Sequence, residues 1–169
     1  MEKAIYGLAM PFNQYYKTYN QQTDTYELEL TNYEVTMLWD IIQLTLDHDL
    51  SKVIGETNHN LIVKSDPVGI YFKMIPELPE GFKAYEDVKN GLLKHCSVTL
   101  IRRKTRNHFE ENKLISFART MNINHNFVVK DHTDVLIEEV CLTNNPANPS
   151  TFCTADKDHP LLKGVRWND

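Results

Sequence analysis

Apolar positions recur at two periods along this chain, and the changes of period divide it into elements. Tyr26-Glu-Leu-Glu-Leu30 alternates apolar and polar residues, the period of a half-buried strand. Residues 4–12 form a short apolar run around Gly7, followed by a tyrosine- and asparagine-rich stretch to Asn20 that reads as a loop. From Thr31 and Asn32, candidate N-caps, the period changes. Val35, Leu38, Trp39, Ile42 and Leu46 stand three or four apart, which predicts a helix to Leu44. Asn60–Lys64 and Gly69–Ile75 read as strands joined by a turn at Ser65-Asp66-Pro67-Val68.

Pro76, Pro79 and Gly81 break the chain before a predicted amphipathic helix over 83–94, with Tyr85, Val88, Leu92 and Leu93 on one face. Cys96–Ile101 is a β-rich run. Residues 106–125 are polar and read as a helix around Leu114–Thr120 or as an extended flap. Phe127–Val129 and Asp134–Leu142 are two more strands, and the sequence turns polar after Pro149. Many short strands and few helices, without βαβ alternation, predict an α+β fold that is mostly β. The expected division is one domain over residues 1–155 and a C-terminal tail over 156–169.

Composition narrows the class. A 169-residue chain with 41% hydrophobic and 24% charged residues has the makeup of a globular domain and argues against disorder. The net charge of −5 disfavours a nucleic-acid surface over the whole domain, although Arg102-Arg103-Lys104 and Arg106 form a local basic run. No apolar run approaches the ~20 residues of a membrane span, and the first eleven residues do not read as a secretion signal. Cys96, Cys141 and Cys153 are odd in number and lack CxxC spacing, which fits a reduced compartment.

Three residue types needed for nucleophilic hydrolysis are present: a serine, a base, and an acid to orient the base. His48 stands between Asp47 and Asp49, whose charges would favour a protonated ring. Ser97 lies in a β-run, with Cys96 as a thiol alternative on the opposite face. On the strand Val135–Leu142, alternation puts Glu139 with Val135, Ile137 and Cys141, and Glu138 with Leu136, Val140 and Leu142. Both faces are otherwise apolar, so the pattern leaves the choice of carboxylate open. A metal-dependent alternative would use Asp47, His48, Asp49 and His59, but these lack paired-histidine spacing.

Read in order, Asp47-His48-Asp49 with Val53-Ile54-Gly55, then His95-Cys96-Ser97-Val98-Thr99-Leu100, then Glu139-Val-Cys-Leu-Thr-Asn-Asn-Pro-Ala-Asn-Pro149 resemble the prohead (capsid maturation) protease family of tailed bacteriophages. The resemblance covers roughly residues 4–153. It implies an antiparallel β-barrel with surrounding helices, similar to the herpesvirus assemblin proteases. It implies a serine endopeptidase in which Ser97 is the nucleophile, His48 the base and Glu139 the residue that orients it. Two departures stand out: Thr99 occupies the place of a small glycine, and Cys141 that of a common serine. Assemblins use a second histidine, so His95 and His132 are alternative third members, and backbone N–H groups near Arg102 and Arg103 are candidate oxyanion donors. Pro146-Ala-Asn-Pro149 reads as architectural. The implied substrates are scaffolding protein, or a scaffolding segment of the major capsid protein, and the protease itself. Self-association is expected, in the host cytoplasm inside the assembling prohead, with no cofactor, nucleic acid or membrane. The alternative is a catalytically silent assembly protein that keeps the fold.

Overall fold

β-Branched and aromatic residues fill the apolar runs, and their backbone groups are satisfied in two sheets. The computed structural model describes residues 2–108, 112–123 and 127–167. Its strands are β1 (Ile5–Pro11), β2 (Tyr16–Asn20), β3 (Thr25–Thr31), β4 (Thr36–Leu46), β5 (Asp49–Glu56), β6 (Leu61–Ser65), β7 (Gly69–Met74), β8 (His95–His108), β9 (Phe127–Thr143) and β10 (Phe152–Thr154). Helices α1 (Pro79–Lys89) and α2 (Asn112–Thr120) interrupt them. One sheet runs β10-β1-β7-β6 and is antiparallel throughout. The other runs β2-β3-β9-β4-β5, with β8 paired to the opposite edge of β9.

The mostly-β class expected from the pattern is what the chain adopts. The second sheet is mixed rather than antiparallel, because β3 and β4 both pair parallel to β9. Among the described residues the pairings do not close into a barrel. The main core lies between the sheets. Ile5, Phe72 and Met74 from one meet Ile42, Leu44, Val135, Ile137, Val140 and Leu142 from the other, and Ala84 and Val88 of α1 cover one side. A second cluster seats Leu114 and Ala118 of α2 against Leu28, Phe127 and Val129. Beyond residue 155, Leu162 is buried against Ala4, Tyr6 and Tyr71.

Several local readings change in the fold. The segment expected as a helix from Thr31 to Leu44 is a 3-10 turn followed by β4. Between Leu38 and Gln43 the register of β4 on β9 slips, which breaks strict alternation and leaves a spacing that mimics a helix. The helix expected over 83–94 begins earlier, at Pro79, where proline is suited to the first turn, and ends at Lys89. The two strands expected at 127–129 and 134–142 are one 17-residue strand, because β8 pairs along nearly its whole length. β2 and β5 lie where no strand was expected, and β10 follows Pro149. The stretch read as a helix or flap contains the end of β8 and helix α2, with 109–111 and 124–126 outside the described residues.

A buried polar network ties β2, β3, β8 and β9 together. Glu29 accepts hydrogen bonds from Thr18 Oγ1 at 2.8 Å, Tyr16 OH at 3.3 Å and Arg102 Nη2 at 2.7 Å. His132, which is fully buried, sits with Nε2 2.8 Å from Glu29 Oε2 and Nδ1 3.0 Å from Thr105 Oγ1. Burial pushes the Glu29 carboxyl up, but the His132 contact and the Arg102 charge outweigh it and hold the group at about 2.

Close approach at β1 makes one glycine sensitive. A Cβ on Gly7 would lie 2.4 Å from the Phe72 ring and 2.5 Å from the Phe152 carbonyl oxygen. Gly7→Ala is expected to lose about 1–3 kcal/mol in urea denaturation, whereas Gly81→Ala, whose Cβ meets only ordinary contacts, should change stability by less than about 1 kcal/mol. The Glu29 network predicts an acid-sensitive fold. Its carboxyl is depressed from 4.5 to about 2, so its stabilisation is complete above pH 4.5 and is lost as pH falls toward 2. The loss should be on the order of 3 kcal/mol. Unfolding curves from pH 6 to pH 3 should show a steep decline that Glu29→Gln flattens; equal slopes in both proteins would contradict the assignment.

Candidate active site

His48 is placed by a two-residue hairpin. Leu46 of β4 pairs with Asp49 of β5, and the two residues between them, Asp47 and His48, have φ of 51° and 58°. Left-handed backbone at both central positions is the turn that matches strand twist, and Asp and His tolerate that region better than most side chains. The turn is docked on β9, with Asp47 N donating to Leu142 O at 3.0 Å and His48 N to Cys141 Sγ at 3.1 Å. The imidazole is therefore held over the face of the sheet, 41% exposed.

The carboxylate that meets it is selected by a β-bulge. β8 steps from Thr99 to Leu100 while β9 steps from Glu139 to Ile137, so Glu138 is an extra residue on β9. The bulge swaps the faces of β9. Val135 and Ile137 join Val140 and Leu142 in the core, whereas Glu139 and Cys141 point to the side of His48. The simple alternation that grouped Glu139 with Val135 and Ile137 is thus corrected. Glu139 Oε2 lies 3.0 Å from His48 Nδ1. Thr45 Oγ1 donates to Glu139 Oε1 and Thr99 Oγ1 to Oε2, and Thr99 Oγ1 also stands 3.2 Å from His48 Nδ1.

These contacts settle the charge and the tautomer. Burial raises the Glu139 carboxyl, but hydrogen bonds from Thr45, Thr99 and His48 overcome it, so the group sits below the usual carboxylate range. An ionised carboxylate only accepts, so Nδ1 carries the proton toward Glu139, and in the neutral ring Nε2 is the free base. The flanking acids are not the histidine's partners. Asp49 accepts from Ser51 N and Oγ and from Lys52 Nζ at 2.8 Å, which depresses it to about 2.

Ser97 pairs with Cys141 on β9, two residues from Thr99 and on the same face of β8. It is 7% exposed and, with His48 and Thr99, lines a cleft of ≈ 320 Å³. Met10 of β1, Tyr16, Arg102, Asn148 and Thr151 are also in its walls. Ser97 and His48 share this cleft without a hydrogen bond between them; such bonds commonly tighten only around substrate.

The other sequence candidates fall elsewhere. Cys96 is buried in the core on the opposite side, and burial drives its thiol well above its ordinary range, which removes it as a nucleophile. Burial also pushes Cys141 up to about 11 and Cys153 up to about 12. His95 opens β8, and its Nδ1 lies 2.8 Å from Thr151 O. His132 belongs to the Glu29 network. Arg102 faces the cleft while bound to Glu29, and Arg103 pairs with Asp134 at 2.7 Å. Glu138 is half-buried in the bulge. His59 sits 3.3 Å from Glu77, and among the described residues no three His, Cys, Asp or Glu side chains gather as a metal site.

Thr45 and Thr99 were not expected at the site. Thr99 carried a signal, since it shares a strand face with Ser97; Thr45 carried none, because it lies just past a segment that reads as a helix.

The comparisons with known proteins bear on the whole chain. No curated protein and no solved structure matches it. The sequence model of one family, described as caudovirus prohead serine protease, matches residues 2–160 of 169. That match spans both sheets, the His48 hairpin and every wall of the cleft, and the chain belongs to the caudovirus prohead serine protease family.

Proposed function

We propose that this chain is a serine endopeptidase of prohead maturation, with Ser97 as nucleophile, His48 as general base and Glu139 as the residue that orients His48. The observation that carries this reading is the 3.0 Å bond to a buried carboxylate from Nδ1 of His48, which lines the same cleft as Ser97. It leaves Nε2 free to act as base. Ser97 Oγ attacks the scissile carbonyl carbon while its proton passes to His48 Nε2. The tetrahedral intermediate collapses, the C–N bond breaks, and the imidazolium returns the proton to the leaving amine. Water then enters by the same base and releases the acyl group from Ser97.

Glu139, held by Thr45 and Thr99, stabilises the imidazolium without taking its proton. Thr99 at the place of the expected glycine is compatible with this chemistry, because its hydroxyl binds the carboxylate. The family supports a role in capsid maturation. The substrates are scaffolding protein, or the scaffolding segment of the major capsid protein, and the protease itself, cleaved inside the closed prohead. Excision removes the segment that holds the shell in its immature form and so makes assembly irreversible. Self-association is part of the reading, and the exposed apolar side chains Met37, Trp39 and Ile41 of β4 and Ile101 of β8 support it.

The test is co-expression of the chain with its capsid and scaffolding proteins, followed by fragment mass measurement. Ser97→Ala and His48→Ala should each lower cleavage by about four orders of magnitude or more while the fold is retained. Glu139→Gln should lose less, about 10²–10⁴-fold. If wild type yields no fragments and a fluorophosphonate fails to label Ser97, the chain is an assembly protein that retains the fold without the activity. Self-association predicts that the rate per enzyme rises with protein concentration or with added scaffold. A constant rate across a wide dilution series, in a species shown to be monomeric, would remove that part of the reading.

A further inference from the structure

Four buried polar side-chain atoms among the described residues lack a hydrogen-bond partner: Thr31 Oγ1, Asn32 Oδ1, Ser65 Oγ and Asn148 Nδ2. Only Asn148 belongs to a residue that lines the cleft of Ser97 and His48. It is also the only amide nitrogen of the four, a group that can donate and cannot accept. A buried donor left unpaired is unfavourable, and native structures rarely keep one without a use.

The orientation of this amide is determined by its neighbours. Ser150 N donates to Asn148 Oδ1 at 2.9 Å, and a backbone N–H can meet only an acceptor there, so the remaining atom must be the NH₂. Asn148 O accepts from Thr151 Oγ1 at 3.1 Å and Thr151 N at 3.3 Å, which closes the turn. Pro146 and Pro149 restrict the backbone on either side. The turn is then tied to the nucleophile strand. His95, two residues before Ser97, has Nδ1 2.8 Å from Thr151 O, and Cys96 Sγ donates to Phe152 O at 3.1 Å. Asn148 is thus a rigid amide in the wall of the cleft, 8% exposed, with both its N–H bonds unused.

We propose that Asn148 is a catalytic residue whose Nδ2–H donates to the carbonyl oxygen of the scissile peptide bond as that oxygen becomes the tetrahedral oxyanion. The inference rests on the serine-peptidase reading above. As the Ser97 Oγ–C bond forms, the carbonyl π pair moves onto oxygen and the serine proton moves to His48 Nε2. The Asn148 N–H stays covalently intact and only strengthens its hydrogen bond. When the C–N bond breaks, the pair returns to the carbonyl and the contact weakens. A donor that is fixed and unpaired gives up no other hydrogen bond when it meets that charge, a property that favours such groups in this role. The Pro146-Ala-Asn-Pro149 segment, read from sequence as architectural, would then have a second role at Asn148.

The experiment uses the full chain and a peptide of the scaffolding protein spanning its cleavage site, with a peptide aldehyde of the same sequence as a transition-state analogue. Asn148→Asp keeps the oxygen that binds Ser150 N and replaces the donor with an acceptor; Asn148→Ala removes both. Each is expected to lower kcat by about 10²–10³-fold with KM changed by less than about threefold. Aldehyde inhibition should weaken in parallel with kcat/KM. A purely structural asparagine predicts that Asn148→Asp keeps kcat and aldehyde affinity, and that result overturns the proposal. If neither variant folds, the wild-type Asn148 side-chain amide proton, followed by NMR, decides: it should move downfield on aldehyde binding, and an unmoved resonance overturns the proposal. Absence of fluorophosphonate labelling and of cleavage in wild type would sink the serine-peptidase reading and this inference with it. Labelled, active wild type with fully active Asn148 variants would sink this inference alone.

Discussion

One strand pairs with three others, more than any other among the described residues, and the second sheet is arranged around it. β9 pairs with β8 along one side and with β3 and then β4 along the other, so β8, β3 and β4 all take their position from its backbone. A strand so placed must bury one face in the core. The bulge at Glu138 decides which residues do so. Without it, a regular alternation would place Glu139 on the side of Val135 and Ile137, facing apolar side chains with no partner. With it, the carboxylate leaves the core and meets a threonine from each neighbouring strand and the histidine of the hairpin.

The second sheet holds two carboxylate–histidine pairs, which differ in how far each is closed off from solvent. Glu29 and His132 are both buried, and the carboxylate is further held by Arg102, Tyr16 and Thr18. That histidine has both ring nitrogens engaged within the protein, so the pair fastens β3 to β8 and β9. Glu139 is buried in the same way, but His48 is 41% exposed and binds the carboxylate through Nδ1. One pair is closed and structural. The other places its histidine ring in the wall of a cleft that Ser97 of β8 also lines.

Much of the fold was legible wherever alternation was regular. Tyr26–Leu30, the β6–β7 hairpin with its proline turn, and the strand starting near Cys96 all follow from side-chain period. β4 was not, because its register slips between Leu38 and Gln43 and leaves apolar residues three and four apart. β2 and β5 are rich in polar residues and exist because β3 and β4 offer them open edges, a reason that lies outside their own sequences.

The sequence by itself determined the mostly-β class and supplied a serine in a β-run, a histidine between two acids and adjacent glutamates in an apolar strand. It also determined family membership, through a family-model match over residues 2–160. The tertiary structure decided what alternation left open: Glu139 rather than Glu138 meets His48, Asp47 and Asp49 do not serve as its carboxylate, and Cys96 is buried in the core. The physical reason is distance along the chain. His48 and Glu139 are 91 residues apart and Thr99 and Glu139 are 40 apart, so their meeting depends on strand register and one bulge, which no local pattern of apolar and polar residues records.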